Sequence, residues 1–370
     1  MAPLVGSGIA TQVVSIAETT FGVAPALTGA RAYEVKSETL ELKKTTVQGQ
    51  GLHAGGFYDR ARRRVLTNYD VQGAIVMDLP TRQMAYWCQY MVGSFGQTLA
   101  TPTQIATTGV YKSVHQGAGG AQVLGSPQGH SLVVQKGIPA VDGTVEPFTY
   151  VGTKVTSWEL KVSTGSIAEL TLTLDARNEL GGGGNADPLN GSVPSLLAWP
   201  GLPTSGLGTQ LFHFRQATLF TGGTPTYATG IVSLVGETAA ANVKDADIQH
   251  SFTMDNARYF LGSAGFKAEQ LENGFRKING TLTVEWLSSE AMYNAFAADT
   301  TTSLQLTFVG PTVGASNYLF DVIIPNIKLD GETPKASGPA VITQSVTFTG
   351  LDDEVTCPIQ IIYQSEDTII

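Results

Sequence analysis

The chain has 370 residues and a formal charge of −9, from 22 basic against 31 acidic side chains. Only 14% of residues are charged, against about a quarter in an ordinary soluble protein, and 42 are glycine with no strict period. The acid excess argues against a dedicated nucleic-acid binder, which needs a basic surface to displace counterions from phosphates; the aperiodic glycine argues against a fibrous repeat.

Residues 1–29 combine small side chains with Pro3, Pro25 and several glycines and read as an N-terminal arm. They lack a basic start followed by an apolar stretch, so no signal peptide is expected. VKSETLELK (35–43) reads as a strand, followed by the Gly-rich loop GQGLHAGGFYDRARRR (49–64) and a second strand, VLTNYDVQGAIVMDL (65–79). In PTRQMAYWCQYMVG (80–93) the spacing turns helical: Met84, Trp87, Cys88, Met91 and Val92 form one apolar stripe behind the start signals Pro80 and Thr81. A Gly- and Ala-rich segment, 94–148, follows. In TYVGTKVTSWELKVSTGSIAELTLTLDAR (149–177), Trp158, Leu160 and Val162 alternate with Ser157, Glu159 and Lys161. Past Thr164, Gly165 and Ser166 the alternation resumes with Leu170, Leu172 and Leu174. Strand side chains face opposite sides in turn, so this predicts a hairpin with one apolar face. NELGGGGNADPLNGSVPSLLAWPGLPTSGLG (178–208) is rich in turn formers and reads as a long loop. TQLFHFRQATLF (209–220) returns to alternation and is expected to close a first unit.

The order then repeats. VKDADIQHSF (243–252) is a strand, TMDNARYFLGSAGFKAEQLENG (253–274) a loop, FRKINGTLTVEWL (275–287) a strand and SSEAMYNAFAAD (288–299) a short helix. At an offset of 207, Gly73, Ile75, Met77 and Asp78 face Gly280, Leu282, Val284 and Glu285; at 208, Val35 and Leu40 fall on Val243 and Ile248. TYVGTKV (149–155) matches DVIIPNI (321–327) at an offset of 172, which places the surplus of the first copy in 94–148. CPIQIIYQSED (357–367) closes the second unit. A fixed order met twice predicts an internal duplication. The expected fold is all-β with minor α: two tandem β-sandwich or split-barrel units, 30–225 and 226–370, each with a short flanking helix. The competing reading is two unrelated sandwiches that share common motifs.

Nothing in the chain asks for catalysis, a metal or a cofactor. His53, His115, His130, His213 and His250 form no HExxH or HxH pair and read as surface or interface residues. No GxSxG elbow occurs. GQGLHAGG misplaces the third glycine of a dinucleotide fingerprint, and Gly181–Gly184 lacks the Lys-Ser/Thr of a phosphate loop and reads as flexible linker. Cys88 and Cys357 are too few for a disulfide framework and read as buried free thiols of a protein made in a reducing cytoplasm. No run of about 18 apolar residues occurs, so no membrane-spanning helix is expected. Arg60, Arg62, Arg63 and Arg64 form a basic cluster without interleaved aromatic platforms; the favoured reading is a loop that docks on an acidic neighbouring subunit, with a solvated face or a nucleic-acid contact as alternatives.

Three stretches together resemble the tail tube proteins of long-tailed bacterial viruses. They are GIATQVVSIAETTFGVAP (8–25) followed by YEVKSETLEL, INGTLTVEW (278–286) followed by a short helix, and FDVIIPNIKLDGETPKASGPAVITQSVTFTGLDDE (320–354). The resemblance covers most of the chain, with 94–148 and 178–208 as departures. It implies a major tail tube protein: a structural protein of the virion tail, made in the host cytoplasm and not an enzyme. In that family six small β units join their inner strands into a ring-shaped β-barrel, and rings stack into a hollow tube that conducts viral DNA. A chain with two units needs three copies per ring, with pseudo-sixfold symmetry. Closing the ring removes exposed strand edges, and a head-to-tail interface lets the stack grow. The implied partners are further copies of the chain, other tail proteins at the tube ends, and DNA that passes without specific binding; no membrane insertion is implied. An acidic lumen would let DNA slide past the wall. The arm 1–29 and the loops 49–64 and 253–274 are the expected ring-to-ring contacts, with Gly55, Gly56, Arg60, Arg62, Arg63, Lys267 and Glu269 as candidate stacking residues. The alternatives are the inner tube of a contractile tail or related injection machine, and a surface β-sandwich adhesin.

Overall fold

Alternating sequence becomes alternating burial. In the computed structural model, which describes residues 8, 11–25, 30–52, 54–105, 109–119, 127–139, 145–181, 210–287, 291–331, 333–336 and 338–368, strands dominate and two α-helices accompany them. The principal elements begin with β1 (Gln12–Ala17), β2 (Ser37–Glu38), β3 (Glu41–Gln48), β4 (Arg64–Asp78), α1 (Met84–Val92), β5 (Tyr111–Gln116), β6 (Leu132–Pro139), β7 (Val145–Val162) and β8 (Glu169–Ala176). They continue with β9 (Ala217–Thr221), β10 (Val243–Ser251), β11 (Lys277–Glu285), α2 (Ala291–Ala297), β12 (Thr302–Val313), β13 (Ser316–Asp330), β14 (Thr343–Gly350) and β15 (Gln360–Ser365).

The hairpin read at 149–177 is β7 and β8. Trp158, Leu160, Val162, Leu170, Leu172 and Leu174 are each no more than 4% exposed, while Lys161 and Thr173 on the opposite face meet solvent. Burying each such side chain favours folding by about 1.5–3 kcal/mol. The hairpin lies within one antiparallel sheet of order β3–β4–β8–β7–β10–β11–β14–β13, with β2 continuing the line of β3 along β4. Within one chain this sheet stays open, and no closed barrel forms among the described residues.

Two glycines sit where backbones come closest. Gly73 lies opposite Leu174 and against Leu40; a Cβ there would come within 2.5 Å of the Thr39 carbonyl and 2.6 Å of the Leu40 Cα. Gly280 lies opposite Ile248 and Phe348, and its Cβ would strike the Phe348 ring and the Asp247 carbonyl.

β7 and β13 are long because each serves two layers. The first part of β7 pairs with β6, which pairs with β1; its second part pairs with β8 on one side and β10 on the other. The first part of β13 pairs with β12 and β15, and its last residues, Ile327–Asp330, pair with β14. Between the layers lies the main core, to which α1 contributes Met84, Trp87, Cys88, Met91 and Val92, all fully buried. The Trp158 indole N–H donates to the Met91 carbonyl at 2.7 Å and ties the sheet to the helix end.

Several strands choose partners that alternation alone does not name. β1 lies inside the expected arm and pairs with β6, which lies inside 94–148. β5, also from 94–148, pairs with β15 near the end of the chain. The stretch 209–220 does not simply close the first unit: bridges join Leu211 to Pro80 and His213 to Ile167, but β9 then pairs with β12 of the second half. The expected start of the second helix (288–290) and residues 182–184 of the expected linker Gly181–Gly184 lie outside the described residues, whereas Asn178–Gly181, read as the start of the loop 178–208, is a strand paired with the first part of β7. Two histidines expected at the surface are core residues. His115 is fully buried between Ser94 Oγ (2.9 Å) and Ser113 Oγ (3.0 Å), and His250 is 2% exposed; burial pushes both down to about 3, so both are neutral. Cys88 and Cys357 are buried free thiols, and burial pushes Cys357 up to about 12.

Candidate functional site

Inside the chain, the outer edge of one four-stranded group meets the outer edge of the next. β7 pairs with β10 so that Leu160 faces Ile248, Lys161 faces Asp247 and Trp158 faces His250. At the far ends of the sheet, β3 has no second strand neighbour among the described residues, and β13 parts from β12 at Ile327, so that Lys328–Asp330 pair with β14. β13 stops pairing with β14 at Asp330, while Thr343–Val346 of β14 continue to pair with β11.

Each group also carries a projecting ribbon. The β3–β4 ribbon ends in the tip 49–63, where Leu52 is 106% exposed and Phe57 and Tyr58 are each 92% exposed. Gly55, Gly56, Arg62 and Arg63 are exposed there, and Arg60 is half-buried because its guanidinium donates to the Gly51 carbonyl at 3.0 Å. The β10–β11 ribbon continues through a short pairing of Met254–Asp255 with Leu271–Glu272, and its tip folds over β4 at Tyr69 and Asp70, β7 at Lys154 and β8 at Asp175.

That second tip makes a polar joint. The Lys267 side chain is 1% exposed and donates to Asp175 Oδ1 at 2.5 Å while pairing with Asp70. Gln270 Nε2 donates to Asp175 Oδ2 at 2.6 Å. Lys154, also 1% exposed, meets Glu269 at 2.6 Å and donates to the carbonyls of Pro127 (3.0 Å) and Gln270 (2.9 Å). Burial raises Asp175 above the usual carboxylate range in spite of Lys267, and burial lowers Lys154. For Glu269 burial acts upward, but hydrogen bonds from Lys154 and the Gly129 N–H outweigh it and hold the carboxyl low. Phe266 is 1% exposed, stacks on Tyr69 at 4.7 Å and lies 5.7 Å from the Arg177 guanidinium. The Tyr69 N–H donates to the Gly265 carbonyl at 2.9 Å.

The seven candidate stacking residues therefore fall in two places. Lys267 and Glu269 work inside the chain, whereas Gly55, Gly56, Arg60, Arg62 and Arg63 stand on the free tip. Sequence reasoning missed Phe266, Lys154, Asp175 and Phe57. A signal was present: Leu52, Gly56 and Phe57 have the same spacing as Leu261, Gly265 and Phe266.

The face of the sheet turned away from the core is polar. Lys36 bridges Glu169 (2.5 Å) and Asp78 (3.5 Å), and Lys161 bridges Glu159 (2.7 Å) and Asp247 (3.8 Å). Burial, then the neighbouring Glu159 carboxylate, raises Asp247 to about 6. A raised folded-state value means that the folded chain holds this proton more tightly than the unfolded one. The contribution is thus stabilising in acid and is lost as pH rises from about 4 through about 6. We expect Asp247→Asn to be more stable than the wild type at pH 7.5, by a modest amount because solvent screens the group. That advantage should shrink as pH falls through 6 in urea unfolding series; an advantage constant from pH 4 to 8 would contradict the assignment.

Among the described residues no group of three or more His, Cys, Asp or Glu side chains could hold a metal ion, and no helix is long and apolar enough to cross a membrane. Residues 8–350 match the family described as phage tail tube protein. The chain belongs to the phage tail tube protein family. The match runs from just before β1 to the end of β14, so both edges, both ribbons and the joint lie inside the tail tube region. Membership makes the chain a structural protein of the phage virion, located in the tail, in a family whose members self-assemble into stacked tubes. No curated protein matches the chain.

Proposed function

We propose that this tail tube protein builds the tube wall as rings of three copies with pseudo-sixfold symmetry, each copy supplying two tandem, duplicated units, and that the stacked rings conduct viral DNA. The observation that carries this reading is the repeated sheet order. The group β3–β4–β8–β7 is followed by β10–β11–β14–β13. The two groups share their register: Leu40, Gly73 and Leu174 correspond to Ile248, Gly280 and Phe348. The β7–β10 junction is then a worked example of the junction between copies, in which the end of β13 and the residues after it meet β3 of the next chain. A heterologous junction that repeats around an axis closes into a ring and leaves no free edge.

In such a ring the polar sheet face lines the lumen. Its carboxylates Asp78, Glu159, Glu169, Asp245 and Asp247, set against Lys36 and Lys161, fit a wall along which DNA slides without binding. Contacts between rings fall to the two tips. Gly55, Gly56 and the arginines form the first; the second is the crown around the exposed Leu261, held in position by Lys267 and Glu269.

Negative-stain electron microscopy of the purified chain tests this directly. Hollow filaments or rings with a sixfold outline, and a sedimenting trimer, are expected. Deleting residues 49–63 should leave soluble chains that build no tubes. A wild-type chain that stays monomeric, or tubes of normal length from the deletion, would overturn the reading.

A further inference from the structure

We propose that the tip of the β3–β4 ribbon docks laterally on a second copy of this chain, with Phe57 seated in a hollow at the end of that copy's second half. This rests on the tube-wall reading above, in which halves follow one another around a ring. Within one chain, the ribbon of the second half lays its tip over the first half and buries Phe266 against Tyr69 and Arg177. Among the described residues, no other half lies beneath the tip of the first half's ribbon. Its tip carries the same Leu, Gly and Phe spacing, yet Phe57 is 92% exposed where Phe266 is 1% exposed. One aromatic buried and its counterpart left in water, beside the exposed Leu52 and Tyr58, is the pattern of an interface made once and waiting once.

The receiving surface follows from the register. Phe266 sits beside Tyr69, just beyond the terminal pair Val71–Ala176. The corresponding terminal pair of the second half is Ile278–Gly350, with Arg276 in the place of Tyr69. There the chain has a hollow of about 350 Å³ lined by His250, Arg276, Ile278, Gly350, Asp352 and Pro358. At its mouth stands Phe275, 94% exposed. Arg276 lies over the Phe252 ring at 4.9 Å, is held by Glu272 at 2.7 and 3.0 Å, and borders the hollow as Arg177 borders Phe266.

Charge agrees with shape. Arg60, Arg62 and Arg63 follow Phe57 on the tip, and the exposed turn Asp352, Asp353 and Glu354 borders the hollow. Asp353 stays an anion: burial acts to raise it, but the Thr356 and Val355 N–H groups outweigh burial and hold it low. Opposite charges at the rim orient the encounter, and the aromatic anchor supplies the hold.

The test uses the full chain with Phe57→Cys and Phe275→Cys combined, Cys88 and Cys357 being buried. Mild oxidation during assembly should join chains covalently, with each single-cysteine variant as the control that does not. Phe57→Asp should weaken self-association at least about tenfold in sedimentation velocity, with an unchanged circular dichroism spectrum because the side chain is exposed. Wild-type tubes together with normal tubes from Phe57→Asp and no cross-link would overturn the docking and leave the tube-wall reading standing. A cross-link confined to single chains would also overturn the docking. A wild-type chain that never associates would overturn both.

Discussion

Replacing Trp158 by alanine is expected to lower unfolding stability by about 3–5 kcal/mol, the range for truncating a large buried aromatic side chain. Trp158 is 1% exposed and stands at a crossing of three elements. Its ring packs into the main core, its N–H satisfies the Met91 carbonyl in the last turn of α1 at 2.7 Å, and it lies 6.0 Å from the His250 ring across the β7–β10 junction. Truncation opens a cavity and leaves a buried carbonyl without its donor, a loss of about 1–3 kcal/mol by itself. Trp158→Phe separates the two effects. It keeps most of the volume and loses chiefly the hydrogen bond, so about 1–3 kcal/mol is expected. Urea unfolding followed by circular dichroism measures both. A loss below about 1 kcal/mol for Trp158→Ala would mean that the core refills the space and that helix and sheet are tied elsewhere.

The hairpin that carries Trp158 was legible because its signal is local. Alternation with a period of two over Ser157–Val162 and Glu169–Asp175 names both faces without any knowledge of the partner strand. The α1 stripe was legible for the same reason. Gly73 and Gly280 were aligned from sequence, and the structure gives the physical ground: at both positions a Cβ would collide with the adjoining strand. Partner choice was not legible. β5 and β15 are separated by most of the chain, and β9 alternates equally well whichever half it joins. Nor could the ends of the ribbons be told apart. The tips 49–63 and 256–270 both look like polar, Gly-rich loops, and only the fold brings Lys267 to Asp70 and Asp175 while leaving Arg62 in solvent. Buried His115 and His250 were misread because an isolated histidine carries no periodic signal, and their neutrality comes from a burial that other strands create.

Lys267→Met should cost about 3–5 kcal/mol, as expected when one partner of a buried ion pair is removed and the other stays buried. The Lys267 and Asp175 side chains are 1% and 3% exposed, and Asp70 shares the ammonium from a less buried position. Methionine keeps the length of the side chain, so the loss reports charge and hydrogen bonding more than packing. Asp175 is already raised above the ordinary carboxylate range by burial, with Lys267 opposing. Removing the lysine leaves the Gln270 hydrogen bond to oppose burial without it and raises the carboxyl further. A carboxyl raised in the folded state stabilises in acid, and that contribution is lost as pH rises through its folded value. The deficit of Lys267→Met should therefore be largest at neutral pH and above, and should shrink on acidification. Adding Asp175→Asn should recover most of the neutral-pH loss by removing the orphaned charge. Hydrogen exchange adds a local readout: residues 256–270 should lose protection in the single variant more than the core of β7 and β8 does, because the tip is held to the first half by this joint. A deficit that is the same from pH 4 to 8 would assign the effect to packing; unchanged protection of the tip would show that Phe266 on Tyr69 and the Lys154–Glu269 pair suffice to hold it.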